Sequence, residues 1–124
     1  MSEHDPALLD TSVLDELRAS VEGDRDFVVE LIEAYLADGA THVAAIDAAL
    51  ETDSAEALVR PAHTLKSSSA TVGAMRLAAT ARELEMTGRS GSLAEAGEAA
   101  GRVADEWRAT SEALRGWISS DDAA

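Results

Sequence analysis

The chain lacks cysteine, and it has little proline and few aromatic residues. Its 124 residues include no cysteine, two prolines and 3% aromatic side chains. The missing cysteines exclude disulfides, thiolate metal sites and thiol catalysis, and they agree with a reducing compartment. Few aromatic side chains argue against a β-sheet core, because strands favour β-branched and aromatic residues. A core that relies on alanine and leucine instead favours closely packed helices.

Basic residues, long apolar runs and targeting signals are scarce as well. Ten basic residues stand against 24 acidic ones, and the formal net charge is -14. This charge repels a polyphosphate backbone, so we expect no nucleic-acid partner. No apolar run approaches the length of a membrane span, and "MSEHDPALLD" lacks the basic start of a signal peptide. These features predict a cytoplasmic protein that does not bind membranes.

The length suits one domain over residues 1–124, with flexible ends at 1–9 and 119–124. Apolar periodicity predicts a short amphipathic helix in "DTSVLDELRASVEGD", ended by Gly23. Asp24 is predicted to cap a second helix that runs to about Thr52. The apolar stripe of this helix consists of Phe27, Val28, Leu31, Ile32, Tyr35, Val43, Ile46 and Leu50.

The second half of the chain predicts three more helices. Asp53 with Glu56 has the pattern of a capping box for a third helix that Gly73 closes. A fourth helix is expected over 74–87, with "GRSG" at 88–91 as a tight loop. Ser92 is predicted to cap the last helix, whose seam contains Leu93, Ala96, Ala100, Val103, Trp107, Thr110, Leu114 and Trp117. The prediction is an all-α fold: an up-and-down antiparallel four-helix bundle with a short additional N-terminal helix.

Pro61 breaks a local rule, because it lies inside the predicted third helix. A proline there removes one backbone hydrogen bond and costs about 3 kcal/mol. The helix either kinks at Pro61 or begins there. We favour the kink, because one apolar stripe continues across the proline, through Leu58, Ala62, Leu65, Ser69 and Val72.

The only lysine, Lys66, follows His63 by three residues in "HTLKSSSATVGA". His63 lies roughly 140° away from the apolar stripe of its helix, so it is predicted to face water. An exposed imidazole is largely uncharged at neutral pH and offers a nitrogen lone pair without a general base. Phosphoryl transfer further requires open access and nearby positive charge. The small residues Ser67 and Ala70 leave the approach open, while Lys66 supplies the charge.

The stretch "AHTLKSSSATVGAMRLAATARELE", residues 62–85, closely resembles the signature of histidine phosphotransfer (HPt) domains. The matching positions are His63, Leu65, Lys66, Ser69, Gly73, Leu84 and Glu85. The chain departs from the pattern at Ser67, where the family commonly has glycine, and this difference concerns transfer rate and partner fit. Chemotaxis-kinase domains usually have an aromatic residue at the position of Ala74, so the resemblance favours the relay type.

The resemblance implies a phosphocarrier in a two-component phosphorelay. His63 would accept a phosphoryl group on Nε2 from the aspartyl phosphate of one receiver domain and pass it to an aspartate on another. Lys66 would lie beside the phosphoryl group, Gly73 would end the helix, and Arg60 would add positive charge at the docking face.

We expect a monomeric carrier that is not an enzyme. The chain lacks a glycine-rich nucleotide-binding loop and a paired-carboxylate Mg²⁺ site, so we expect no cofactor or metal of its own. Its partners would be receiver domains or a hybrid sensor kinase, and the receiver would bring Mg²⁺. Two other classes of function stay open. One is a helical module that docks on a receiver or kinase as an inhibitor or scaffold without phosphorylation. The other, a hydrolase, would require a second catalytic group within one turn of His63, where the chain offers only Lys66, Arg60 and Ser67.

Overall fold

The computed structural model describes residues 7–123, with side chains described for 7–120. This part of the chain forms five helices and no strand: α1 (Thr11–Ser20), α2 (Arg25–Glu51), α3 (Ala55–Thr71), α4 (Met75–Ser90) and α5 (Leu93–Ala123). Helices α2 to α5 contact one another in a closed ring, α2 against α3, α3 against α4, α4 against α5 and α5 against α2. The short α1 packs on α2. The predicted all-α bundle with an additional N-terminal helix is confirmed. No helix in the described residues is long and apolar enough to span a membrane.

The start of α3 differs from the prediction, because Ser54 and not Asp53 is its N-cap. The Ser54 hydroxyl accepts a hydrogen bond from the Ala57 amide at 3.1 Å. Asp53 has a φ of 54° and belongs to the left-handed turn after α2, where the next amide bonds back to the Ala49 carbonyl. Asp53 therefore ends α2, in the position that a Schellman turn usually gives to glycine. The predicted Asp53 and Glu56 capping box is wrong.

Helix α3 begins at Ala55 and passes through Pro61, so a start at Pro61 is excluded. The kink at this proline stays a prediction. The helix ends at Thr71 and, as predicted, Gly73 closes it in the following turn with a φ of 84°. A Cβ at Gly73 would lie 2.5 Å from the Asp10 carbonyl oxygen, because the chain before α1 crosses the α3–α4 turn there. Backbone hydrogen bonds from Asp10 to Gly73 and from Arg76 to Ala7 hold this crossing together.

Two further helix boundaries lie beyond their predicted positions. Helix α4 continues through residues 88–90 and ends at Gly91, so only the last residue of the predicted "GRSG" loop leaves the helix. The cause is tertiary, because Gly88 is buried against the Ala55 carbonyl and the Val59 side chain. Helix α5 begins at the predicted Ser92 cap and gives helical backbone to 119–123, within the stretch expected to be flexible. The expectation for positions 1–6 and 124 lies outside the described residues.

One buried cluster joins all five helices and contains mainly leucine, alanine and valine. Trp107 and Trp117 pack against this cluster while staying partly exposed. Half of the stripe predicted for α2 is buried and most of the rest is partly buried, but Phe27 at its start is 47% exposed. Inside the cluster the Tyr35 and Ser69 hydroxyls share a hydrogen bond of 2.7 Å. Burial raises the pKa of Tyr35 to about 12, which keeps this hydroxyl protonated.

Candidate functional site

His63 lies on the outer side of α3, and its side chain is 55% exposed as predicted. Its Nδ1 atom is 2.9 Å from Oε2 of Glu85 on α4. The hairpin places these residues side by side, because each is eleven positions from Ala74 in the turn between two antiparallel helices. The imidazole is thus open to solvent while one ring nitrogen is held by the neighbouring helix.

Glu85 is a buried carboxylate at the centre of a charged cluster. Its side chain is only 7% exposed, and its Oε1 atom is 2.9 Å from Nζ of Lys66. Its Oε2 atom also accepts from Arg89, one turn later on α4, at 2.8 Å. Arg89, Lys66 and, more weakly, His63 lower the pKa of Glu85 to about 2, against the opposing effect of burial. Glu85 is therefore ionised at neutral pH.

The charge of Glu85 determines which nitrogen of His63 is available for reaction. An ionised carboxylate only accepts hydrogen bonds, so Nδ1 of the imidazole must be the donor. In a neutral ring with its proton on Nδ1, the lone pair is on Nε2. The hydrogen bond also fixes the ring orientation. The site therefore presents an oriented nucleophilic nitrogen on an exposed ring.

The other predicted residues have distinct positions around His63. Lys66 is 30% exposed, and its ammonium keeps donors beyond the one that contacts Glu85. Arg60, Ser67 and Ala70 are exposed on α3, within two helical turns of His63. Arg60 and His63 line an open depression with Glu56, Val59 and Arg89. Gly73 is buried in the loop between α3 and α4, more than two helical turns from His63. Its contact there is with the backbone before α1 and not with His63.

The three consecutive serines of α3 have different hydrogen-bond partners. Ser69 is buried on Tyr35, and the Ser68 hydroxyl donates to the Leu65 carbonyl at 3.4 Å. Ser67 is exposed, and its carbonyl accepts from the Thr71 hydroxyl. In the part of the chain that the structure describes, no serine hydroxyl forms a hydrogen bond with His63, and no three metal-ligating side chains form a cluster.

Our interpretation of the sequence missed two features of the cluster, the presence of Arg89 and the contact of Glu85 with His63. The spacing of both residues in the sequence could have indicated their positions. Glu85 mirrors His63 across the hairpin turn, and Arg89 follows Glu85 by four residues, which puts the two on one face of α4. The sequence alone does not single them out, because α4 contains other charged residues. The contact between α3 and α4 shows which of these residues lie beside His63.

The comparisons with known proteins agree with this geometry. A family model described as the Hpt domain matches residues 30–117, which is more than half of the chain. The fold is similar to the crystal structure of histidine-containing phosphotransfer protein B (HptB) from Pseudomonas aeruginosa PAO1, with a TM-score of 0.83 and 27% sequence identity. That match covers 91% of this chain and 96% of the HptB chain. No curated protein matches significantly in sequence. On the strength of the family match, the shared fold and the exposed histidine, the chain belongs to the Hpt domain family.

Proposed function

We propose that this histidine phosphotransfer protein carries a phosphoryl group on Nε2 of His63, accepting it from the aspartyl phosphate of one receiver domain and passing it to an aspartate of another. Membership of the Hpt domain family supports the general role. The observation that carries the choice of residue and atom is the hydrogen bond from His63 to Glu85, which leaves Nε2 of an exposed ring as the nucleophile.

The transfer is a displacement at phosphorus. The Nε2 lone pair forms the N–P bond as the bond between phosphorus and the aspartyl oxygen breaks, and the carboxylate leaves with that electron pair. The imidazole keeps its Nδ1 proton and becomes a positively charged phosphoimidazole ring. The ionised Glu85, 2.9 Å from Nδ1, stabilises this new charge. Attack by the second aspartate reverses these steps and restores the neutral ring.

The residues around His63 support this step through charge and access. Lys66 is one turn from the imidazole and has spare donors for the phosphoryl oxygens, whose charge is spread over three equatorial positions. Arg60 adds positive charge to the same side. The exposed Ser67 and Ala70 leave room for a partner surface beside the ring. Ser67 replaces the glycine that is common in the family, so we expect it to tune partner fit.

The proposed partners are receiver domains and the sensor kinases that contain or phosphorylate them. We further propose that the protein is a carrier with no reaction of its own and that it needs no resident cofactor. Mg²⁺ would belong to the partner receiver.

The test is a transfer assay with receiver domains encoded in the same genome, each phosphorylated with acetyl phosphate. Intact mass measures the phosphoryl group on this chain, and treatment with acid and with base identifies its linkage. We expect an acid-labile, base-stable group on the wild type and none on His63→Gln. The matched control is His42→Gln, at a partly exposed histidine on α2, which should accept phosphate normally.

The proposal fails if His63→Gln, with a wild-type circular dichroism spectrum, accepts the phosphoryl group as well as the wild type does. If neither protein is phosphorylated while both bind the same receiver, the alternative of a docking module without phosphotransfer is supported instead.

A further inference from the structure

Basic residues are concentrated in one hairpin of this acidic protein. Residues 55–90, which include α3 and α4, contain five basic and three acidic side chains, a formal charge of +2. The remaining positions contain five basic and twenty-one acidic side chains, a formal charge of -16. The net charge of the whole chain therefore conceals a local reversal of sign, and that reversal coincides with the helices that bear His63.

The cations of the hairpin surround His63 on both helices. We call Arg60, Lys66, Arg82 and Arg89 the basic face. Arg60 and Lys66 are one turn before and one turn after His63 on α3. Arg82 and Arg89 lie on α4 about one turn on either side of Glu85, which contacts His63. Arg60, Arg82 and Arg89 are exposed, and Lys66 is partly exposed.

The carboxylates of the hairpin compensate only part of this positive charge. Glu85 is buried beneath two cations of the basic face. Glu83 pairs with Arg102, a cation from α5, at 2.9 Å. Within the described residues, no carboxylate forms an ion pair with Arg60 or Arg82. Glu56 lines the depression beside Arg60 and is exposed.

Screening decides whether the local charge or the net charge controls an approaching protein. At physiological ionic strength the Debye length is about 8 Å, which is less than the diameter of one helix with its side chains, about 10–12 Å. The acidic residues on the far side of the bundle are therefore largely screened at the basic face. A partner that approaches His63 is exposed mainly to the positive charge around it.

We propose that the basic face docks on an acidic surface that surrounds the phosphoacceptor aspartate of a receiver domain, and that Arg60 and Arg82 steer this encounter. The inference rests on the proposed function for the choice of partner, and it adds the chemistry of the partner surface and the residues that select it. Arg82 is the diagnostic position, because it forms no hydrogen bond or ion pair with His63 or Glu85, so its substitution tests its charge.

The experiment measures the association rate constant of this protein with each receiver domain encoded in the same genome, at NaCl concentrations from about 0.1 to 1 M. The Debye length falls from about 10 to about 3 Å over this range. We expect the association rate constant of the wild type to fall as salt rises. Arg82→Glu should lower this constant roughly five- to tenfold at 0.1 M and weaken its dependence on salt. Arg60→Glu is a second variant with the same expected effect.

The matched control is Arg115→Glu, which changes the net charge equally. Arg115 is an exposed residue of α5 in the grooves between α2 and α5, opposite the α3–α4 side of the ring. We expect its association rate constant to stay within about twofold of the wild type. The inference is overturned if the wild-type constant does not fall as salt rises, if the Arg82 and Arg115 variants change it equally, or if no receiver domain binds the wild type. His63→Gln should keep the salt dependence of the wild type, so a failure of phosphotransfer is distinguishable from a failure of docking.

Discussion

Replacing Glu85 by glutamine tests the charged cluster under His63. The substitution keeps the shape of the side chain and a hydrogen-bond acceptor, but it removes the negative charge that Lys66, Arg89 and His63 share. We expect the variant to fold, because its orphaned cations are exposed enough for water to solvate them. We also expect it to be less stable than the wild type at neutral pH.

The magnitude follows from the pKa of Glu85, which is lowered from 4.5 to about 2. At about 1.4 kcal/mol per pKa unit, the upper limit is about 3.5 kcal/mol. The side chains of His63 and Arg89 are 55% and 62% exposed, and solvent screening at these partners reduces the expected contribution to about 1–2 kcal/mol. Because the pKa is lowered on folding, this stability is fully present above pH 4.5 and is lost as the pH falls towards 2.

The assay is urea unfolding at a series of pH values, monitored by circular dichroism and tryptophan fluorescence. The free energy of unfolding of Glu85→Gln should be about 1–2 kcal/mol below the wild type at pH 7, and the difference should vanish near pH 2. The control is Glu83→Gln, whose side chain is 59% exposed and pairs with a half-exposed arginine, so the expected loss is below about 1 kcal/mol. A difference that does not change with pH, or one no larger than that of Glu83→Gln, would refute the reasoning.

Two pairs of glycine substitutions test the packing that supports the site, each by thermal unfolding. Gly39→Ala should lower the free energy of unfolding by about 1–3 kcal/mol, because its Cβ would lie 2.3 Å from the Trp107 ring. Gly97→Ala meets nothing within 4 Å and should raise the free energy of unfolding by roughly 0.5–1 kcal/mol through helix propensity. Equal effects of the two substitutions would contradict this packing. Gly73→Ala should lower the free energy of unfolding more than Gly91→Ala. Both positions have a positive φ, which adds a strain of about 1–2 kcal/mol for alanine, but of these two only Gly73 lies against the backbone before α1. Equal losses at Gly73 and Gly91 would show that this contact adds nothing.

Helix content and the exposed position of His63 could be predicted from the sequence because they depend on local periodicity. A rotation of about 100° per residue fixes the side of α3 on which His63 and Lys66 lie, whatever that helix packs against. The same reasoning predicted the Asp24 cap, which accepts from the Phe27 amide at 3.2 Å. Local periodicity did not predict burial correctly where packing against a neighbouring helix determines it. Phe27 lies on the apolar stripe of α2 and is nevertheless exposed. Periodicity could not predict this, because it does not say whether another helix covers a given turn.

The sequence by itself determined the fold class, the helical stripes, the resemblance around residues 62–85 and the histidine that faces solvent. Only the tertiary structure decided that Glu85 is buried and ionised beneath Lys66 and Arg89, since that arrangement requires α3 and α4 in contact. It also decided that helix α4 continues through Gly88, because a close approach to α3 outweighs a local turn signal. The physical reason is the range of the interactions. Helix periodicity acts within a few residues, whereas burial and ion pairing depend on atoms that folding brings together from distant positions.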